Sequence, residues 1–305
     1  MTQELLSADP AHKVIIQLSD IHITDGGLLN DSVDSLANLA AILSAVEESG
    51  DHPDLLLFTG DLADKGEPEA YRRFRATVEP FAARMGVPAC YMPGNHDERR
   101  AFRKHLLDWE ENDEVIDQVV WCDGLRVIAL DSTVLGGHHG EIDDAQLAWL
   151  ESELETAAPL GTILALHHPP VPGPSAFLNE IILREPERLA KVLSGSDVSM
   201  ILAGHTHHAS AGSLAGIPVW VATATAYQMD VVAVATRSLR GIPGSAYTRI
   251  DVAPDGPVAT HIPMIDAERP VYEIDFETIG RWIKSGASAE EIEAAFTRPG
   301  DENGE

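Results

Sequence analysis

The sequence predicts an α/β fold on three observations: short apolar stretches of strand length, amphipathic stretches of helical period between them, and polar residues where the apolar stretches stop. Residues 14–19 are β-branched and apolar and end at Asp20-Ile21-His22, as a buried strand does. Val33, Leu36, Leu39, Leu43 and Val46 then recur at intervals of three and four, with Asn30 or Asp31 placed to cap an amphipathic helix and Gly50 just past its end. Residues 54–58 read as a second strand running into Thr59-Gly60-Asp61, 67–85 as a helix, and 87–92 as a strand that empties into Pro93-Gly94-Asn95-His96-Asp97. Near-continuous apolar strands separated by helices imply a sheet covered on its faces, and in such sheets ligands gather at the carboxyl ends of the strands. One rim should therefore hold Asp20, His22, Asp61, Asn95 and His96.

The second half repeats the theme with more β. A strand over 125–130 ends at Asp131, and Leu147, Leu150 and Leu154 line a helix. A strand over 162–166 exits at His167-His168-Pro169-Pro170, and one over 198–203 exits at Gly204-His205-Thr206-His207-His208. Residues 217–223 follow as another strand, and 247–252 with 258–263 suggest a hairpin around Asp255-Gly256. From about Asp266 the composition turns acidic and less apolar, with a short helical pattern over 287–296 and a tail over 299–305 expected to be disordered. The expected organisation is one domain over 1–265 and a C-terminal extension over 266–305.

Among 305 residues, 21 basic against 49 acidic side chains give a net charge of −28. That field repels nucleic acids and anionic membranes, whose affinity for proteins comes mostly from Lys and Arg, so neither is an expected partner. Residues 1–10 show no basic or long apolar leader and no run of about eighteen apolar residues occurs, so a cytoplasmic location is expected. Cys90 and Cys122 lie in or beside apolar stretches, as buried free thiols do.

The polar exits form a donor set of carboxylate, amide and imidazole without thiolate, which suits Mn, Fe, Co or Zn better than Ca or Mg. Six or seven ligands exceed one tetrahedral ion but suffice for two that share a carboxylate. Residues i and i+2 on an extended segment project to the same side, so Asp20 with His22, and His205 with His207, are expected to point together. Gly60, Gly94 and Gly204 each precede a ligand, where a missing Cβ lets backbone come close.

In order, Asp20-X-His22, Gly60-Asp61, Gly94-Asn95-His96-Asp97, His167 and Gly204-His205-X-His207 resemble the motifs of the calcineurin-like metallophosphoesterase superfamily. Residues 59–66, 166–170 and 203–205 further resemble the bacterial class III cyclic-nucleotide phosphodiesterases. The resemblance implies a four-layer α/β/β/α sandwich of two mixed sheets. It implies one metal ion on Asp20, His22, Asp61 and His207, and a second on Asp61, Asn95, His167 and His205, with hydroxide between them as nucleophile. His96 would bind the phosphate and protonate the leaving alkoxide, and Asp97 would orient His96. The implied substrate is a cyclic nucleotide such as cyclic AMP, the implied assembly a homodimer. Glycerophosphodiesters or monoesters are the alternative substrates, and a non-catalytic scaffold the alternative class. Two divalent ions bring +4, Asp20 and Asp61 −2 and hydroxide −1, which leaves about +1 at the rim for an anionic substrate.

Plainer readings stand beside these. Asp97 could cap a helix over 98–107, and Asp64 could be a turn residue or a carboxylate backing a ligand. By strand alternation His168 should face away from His167 and serve structure, and His208 should lie on the surface. His138 and His139 sit in the glycine-rich loop 136–141, either solvated or at the rim of the substrate pocket. Trp149, Trp220 and Trp282 are expected in the core or at interfaces.

Overall fold

Strands β1 (Lys13–Leu18), β2 (Leu55–Thr59) and β3 (Ala89–Met92) run parallel and side by side, and β10 (Ala246–Ala253) pairs antiparallel with β1 and carries β11 (Gly256–Pro263) at the edge. A second sheet has the order β4 (Gln118–Cys122), β5 (Leu125–Leu130), β6 (Thr162–Leu166), β7 (Val198–Ala203), β9 (Ile217–Val221), β8 (Ser210–Leu214). The computed structural model describes residues 12–232, 238–265, 274 and 276–286. It divides into a unit over 11–264 and a second made of 1–10 and 265–305, whose described part includes one helix, Phe276–Ser285.

Alternation along the strands sorts side chains into two cores. Ile15, Leu55 and Leu57 face the second sheet and pack with Val127, Ile163, Ile201 and Ile250. Ile16, Leu56 and Phe58 face the other way, onto α1 (Ser35–Glu48) and α2 (Pro68–Met85), where they meet Leu39, Ile42, Phe74 and Val78. Leu150 of α4 (Asp144–Glu153) with Leu189 and Leu193 of α6 (Pro186–Leu193) cover the outer face of the second sheet. These are the four layers expected. Gln17 is the one polar side chain of β1 set fully between the sheets, and its Nε2 donates to Thr59 Oγ1 and Ala203 O, so all three strand exits are tied at one level.

Several boundaries differ from the expectation. Asn30 and Asp31 have φ of 48° and 55° and lie in a turn closed by the Leu29–Val33 bridge, so neither caps α1; the cap is Asp34, whose carboxylate accepts from Ala37 N. Helix α3 (Arg99–His105) is capped by Glu98, which accepts from Arg100 N and Ala101 N, and not by Asp97. The edge strands β4 and β8, the short α5 (Ala176–Asn179), α6 and the helix Phe276–Ser285 gave no distinct signal in the sequence. The hairpin around Asp255-Gly256 is present in register Val252–Pro257. The helical pattern over 287–296 and the tail over 299–305 lie outside the described residues. Both cysteines are free and buried, burial pushing Cys90 up to about 12 and Cys122 to about 11. Trp149 and Trp220 are partly buried against the inter-sheet core, and Trp220 Nε1 donates to Thr248 Oγ1. No described helix is long and apolar enough to cross a membrane.

Candidate metal centre

At the exits of β1, β2 and β7 the chain turns by adopting left-handed backbone. Asp20, His22, Asp61, His205 and His207 have φ of 53°, 50°, 52°, 72° and 54°. That is uncommon for residues with a Cβ and clusters at functional sites. It also corrects the reason given for the i, i+2 pairs: Asp20 with His22 and His205 with His207 converge through left-handed turns and not by strand alternation. The glycine expectation fares better. A Cβ on Gly60 would lie 2.2 Å from His167 Nδ1, on Gly94 2.2 Å from Asp61 Oδ1, and on Gly204 1.9 Å from Ser19 Oγ.

Three groups of ligand atoms result, the third of them His22, Asp64 and His96. Asp20, His22, Asp61 and His207 present donor atoms within 4.8 Å of one another, and so do His167, His168 and His205. Asp61 stands between them: its Oδ2 is 3.7 Å from His22 Nε2 and 3.3 Å from His167 Nε2. Its other oxygen accepts from His96 N at 2.8 Å. Three of the rings have their second nitrogen engaged, His167 Nδ1 with Thr59 O at 2.8 Å, His207 Nδ1 with Tyr227 O at 3.0 Å and His22 Nδ1 with Asp64 Oδ1 at 3.3 Å. Each such partner fixes the ring so that Nε2 offers its lone pair inward.

Burial works against charge throughout the cluster. It penalises ionised Asp61, but His167, His22 and His96 outweigh it and hold the carboxyl well below the usual range. It lowers His207 to about 4 and drives His205 well down. For His167 the neighbouring Asp61 and Asp20 outweigh burial and raise it to about 9. Asp20 Oδ1, Asn95 Oδ1, His167 Nε2 and both nitrogens of His205 are buried without a hydrogen bond. Buried polar atoms are costly to leave unpaired, so these residues fit a bound cation better than they fit each other.

Asn95 and His96 lie at the mouth. Asn95 Nδ2 is 3.3 Å from His138 Nδ1, which brings the loop 136–141 to the rim. His139 turns aside to pair with Glu141 at 3.0 Å. His96 is half-exposed, with Nδ1 2.7 Å from Asp64 O. Here the expectation for Asp97 is corrected: its carboxylate accepts from Leu62 N, Ala63 N, Gly94 N and Tyr71 Oη, and those four donors fill its acceptor sites. Asp64 takes the place beside His96 instead. His168 is likewise corrected, because its ring lies 5.0 Å from His167 and 4.7 Å from His205, not on the opposite face; its Nδ1 bonds Ser132 Oγ at 2.9 Å. His208 is buried, with Nδ1 2.9 Å from Thr206 O, and not on the surface.

A cavity of about 300 Å³ opens on the cluster. Its apolar lining consists of Phe177, Leu178, Ile181, Met229 and Leu239, none of which the motifs include. The signal available was weak, since Phe177 lies in a helix of only four residues and Leu239 is a single apolar residue among polar ones.

The family model for calcineurin-like phosphoesterases matches residues 13–209. The chain belongs to the calcineurin-like phosphoesterase family. Within it, the chain is 43% identical to a cAMP/cGMP dual specificity phosphodiesterase of Mycobacterium tuberculosis, over 92% of this chain and 85% of that one. It is 50% identical to a probable cyclic nucleotide phosphodiesterase of Rhodococcus erythropolis, over 73% of each. Among solved structures, a dimetal phosphatase from Danio rerio superposes with a TM-score of 0.61 at 14% identity, covering 85% of this chain and 98% of that one, a likeness of fold. This phosphoesterase is therefore a member of a hydrolase family with a candidate dinuclear site.

Proposed function

We propose that this phosphoesterase hydrolyses a 3′,5′-cyclic nucleotide, cyclic AMP first among them, to the 5′-monophosphate. The observation that carries the reading is Asp61 Oδ2, placed within 3.7 Å of His22 and 3.3 Å of His167 so that one carboxylate serves both clusters. One divalent ion would sit on Asp20, His22, Asp61 and His207, and a second on Asp61, Asn95, His167 and His205. The mixed nitrogen and oxygen donors suit Mn, Fe, Zn or Co. Bound there, such ions supply positive charge for the phosphate and bring the pKa of water toward neutrality.

The chain's own residues account for the rest. Asn95 and His96 meet the phosphate at the mouth, with His138 beside Asn95. Water adds to phosphorus, the P–O3′ bond breaks, and the proton passes from His96 to O3′. With Nδ1 held against Asp64 O at 2.7 Å, Nε2 is the ring nitrogen left to face the substrate. The apolar wall of Phe177, Leu178, Ile181, Met229 and Leu239 suits a nucleobase, and the relatives' names support the same substrate. The reading also takes 1–265 as the catalytic domain, places the protein in the cytoplasm and makes it a homodimer, the last open to light scattering.

Purified protein loaded with Mn²⁺ and offered cyclic AMP, glycerophosphocholine and p-nitrophenyl phosphate should turn over cyclic AMP with the highest kcat/KM. Turnover of the monoester with none of cyclic AMP would overturn the substrate assignment.

A further inference from the structure

We infer that Tyr71, a buried residue of α2 outside every motif named above, is a positioning residue for the metal centre, acting through Asp97. The inference rests on the dinuclear reading and not on the identity of the substrate.

Asp97 ties two ligand-bearing loops together. Its Oδ1 accepts from Ala63 N at 2.9 Å and its Oδ2 from Leu62 N at 3.1 Å, the two residues that follow Asp61. The same Oδ2 accepts from Gly94 N at 2.9 Å, the residue before Asn95. The tie is returned, because Asp61 Oδ1 accepts from His96 N at 2.8 Å. Each loop thus places a carboxylate on the other's backbone. The two are packed with no slack, since a Cβ on Gly94 would lie 2.4 Å from Asp61 N.

Tyr71 completes this clamp from behind. Its hydroxyl donates to Asp97 Oδ1 at 3.0 Å and accepts from Glu98 N at 3.0 Å, so both its capacities are used. The ring is fully buried, edge-on to Phe102 at 5.5 Å, in the core under α2 and α3. A phenol held that way cannot drift, and neither can the carboxylate it faces. Burial beside Asp97 drives the hydroxyl well above its ordinary value, so it stays a donor. Removing it takes one of four donors from Asp97 and leaves Glu98 N unpaired while the ring's packing remains. The loss is transmitted to Asp61 and Asn95, the ligands at either end of the clamp. Partners that orient metal ligands typically cost about 10- to 100-fold in metal affinity when mutated.

The test is Mn²⁺ titration of metal-free protein by calorimetry, with electron paramagnetic resonance of the bound ions, on wild type, Tyr71→Phe, Asp97→Asn and the double variant. Tyr71→Phe should bind Mn²⁺ about tenfold more weakly, and the double variant should bind no more weakly than Asp97→Asn alone, since both act in one chain. Phe102→Leu, which disturbs the same packing without touching the hydrogen bonds, should lower the melting temperature and leave Mn²⁺ affinity as in wild type. The inference is overturned if Tyr71→Phe melts lower yet binds Mn²⁺ as wild type does. Wild-type protein that takes up no Mn²⁺ would overturn the metal centre itself, and the inference with it.

Discussion

The Nε2 atoms of His22 and His207 lie 3.1 Å apart, while the second nitrogen of each ring is already engaged, by Asp64 Oδ1 and by Tyr227 O. The pair is a hydrogen bond when one ring carries the proton, and when neither does, two lone pairs so close repel unless a metal ion is shared between them. Ring nitrogens bound to one ion at about 2.0–2.1 Å and at right angles would be roughly 2.9 Å apart, close to the spacing found. Asp20 Oδ1, 3.4 Å from His207 Nε2, faces the same point.

Removing metal should therefore cost both activity and stability. Protein treated with dipicolinate and dialysed should hydrolyse no cyclic nucleotide and melt at a lower temperature. Restored Mn²⁺ at about 100 times its dissociation constant should return about 2.7 kcal/mol. Differential scanning calorimetry with and without Mn²⁺ reads this directly, and coincident melting curves would contradict a metal centre.

His96 shares a group of ligand atoms with His22 and Asp64 at the cavity mouth and presents none to the two groups that flank Asp61. His96→Ala should keep the wild-type metal content and lower kcat by roughly 10² to 10⁴, the range for losing a positioned acid. Metal analysis beside steady-state kinetics checks both halves. A variant that loses its metal would show that His96 is a ligand.

How much of this was legible in the sequence follows from what each signal depends on. The parallel strands and their exits were legible because a strand buried on both faces must be apolar throughout and must end in something polar; Val198–Ala203 matches its expected bounds to the residue. The edge strands were not. Ser210–Leu214 is half solvated, with small side chains, and its pairing with β9 is set by the neighbour and not by its own pattern. Among the site residues, Asp20, His22, Asp61 and His207 come together, as do His167 and His205, but through left-handed turns that an i, i+2 spacing does not encode. The partners of Asp97 did not show, because four hydrogen bonds from two loops and a helix depend on a fold and leave no local trace. Phe177 was silent for a different reason: a helix of four residues, Ala176–Asn179, is too short to show a period.

Phe177 is 53% exposed, in the apolar lining of the cavity. An aromatic side chain left that open in a cavity is available to stack on a flat ligand, and stacking on a base is worth about 1–3 kcal/mol. Phe177→Ala should raise KM for cyclic AMP by roughly 5- to 150-fold with little change in kcat. An abasic ribose 3′,5′-cyclic phosphate should show no difference between the two proteins, and equal losses on both substrates would argue for a general disturbance of the loop.

Arg99 and Asp131 join α3 to the end of β5 with Nε–Oδ2 at 2.9 Å, and Asp131 is wholly buried. Asp131 also accepts from Thr133 N and Ile116 N, at the start of the loop that carries His138. Removing the cation leaves a buried carboxylate uncompensated, which costs about 3–5 kcal/mol. Arg99→Ala should lose that much by urea unfolding, and Arg99→Met with Asp131→Leu should lose less than Arg99→Ala if the charge left behind is the cause.

Asp117 gives stability a pH dependence of its own. Burial, with Asp131 and Asp143 nearby, raises its carboxyl to about 6 against the hydrogen bonds from Asp131 N and Gln146 Nε2. The folded protein therefore holds this proton more tightly than the unfolded chain. Its contribution is present in full below the unfolded value of 3.8 and is lost as pH rises through about 6. Asp117→Asn cannot titrate and should flatten the dependence of unfolding free energy on pH between those limits. Urea midpoints for the two proteins at matched metal loading test the point. Parallel curves across the window would place the proton elsewhere.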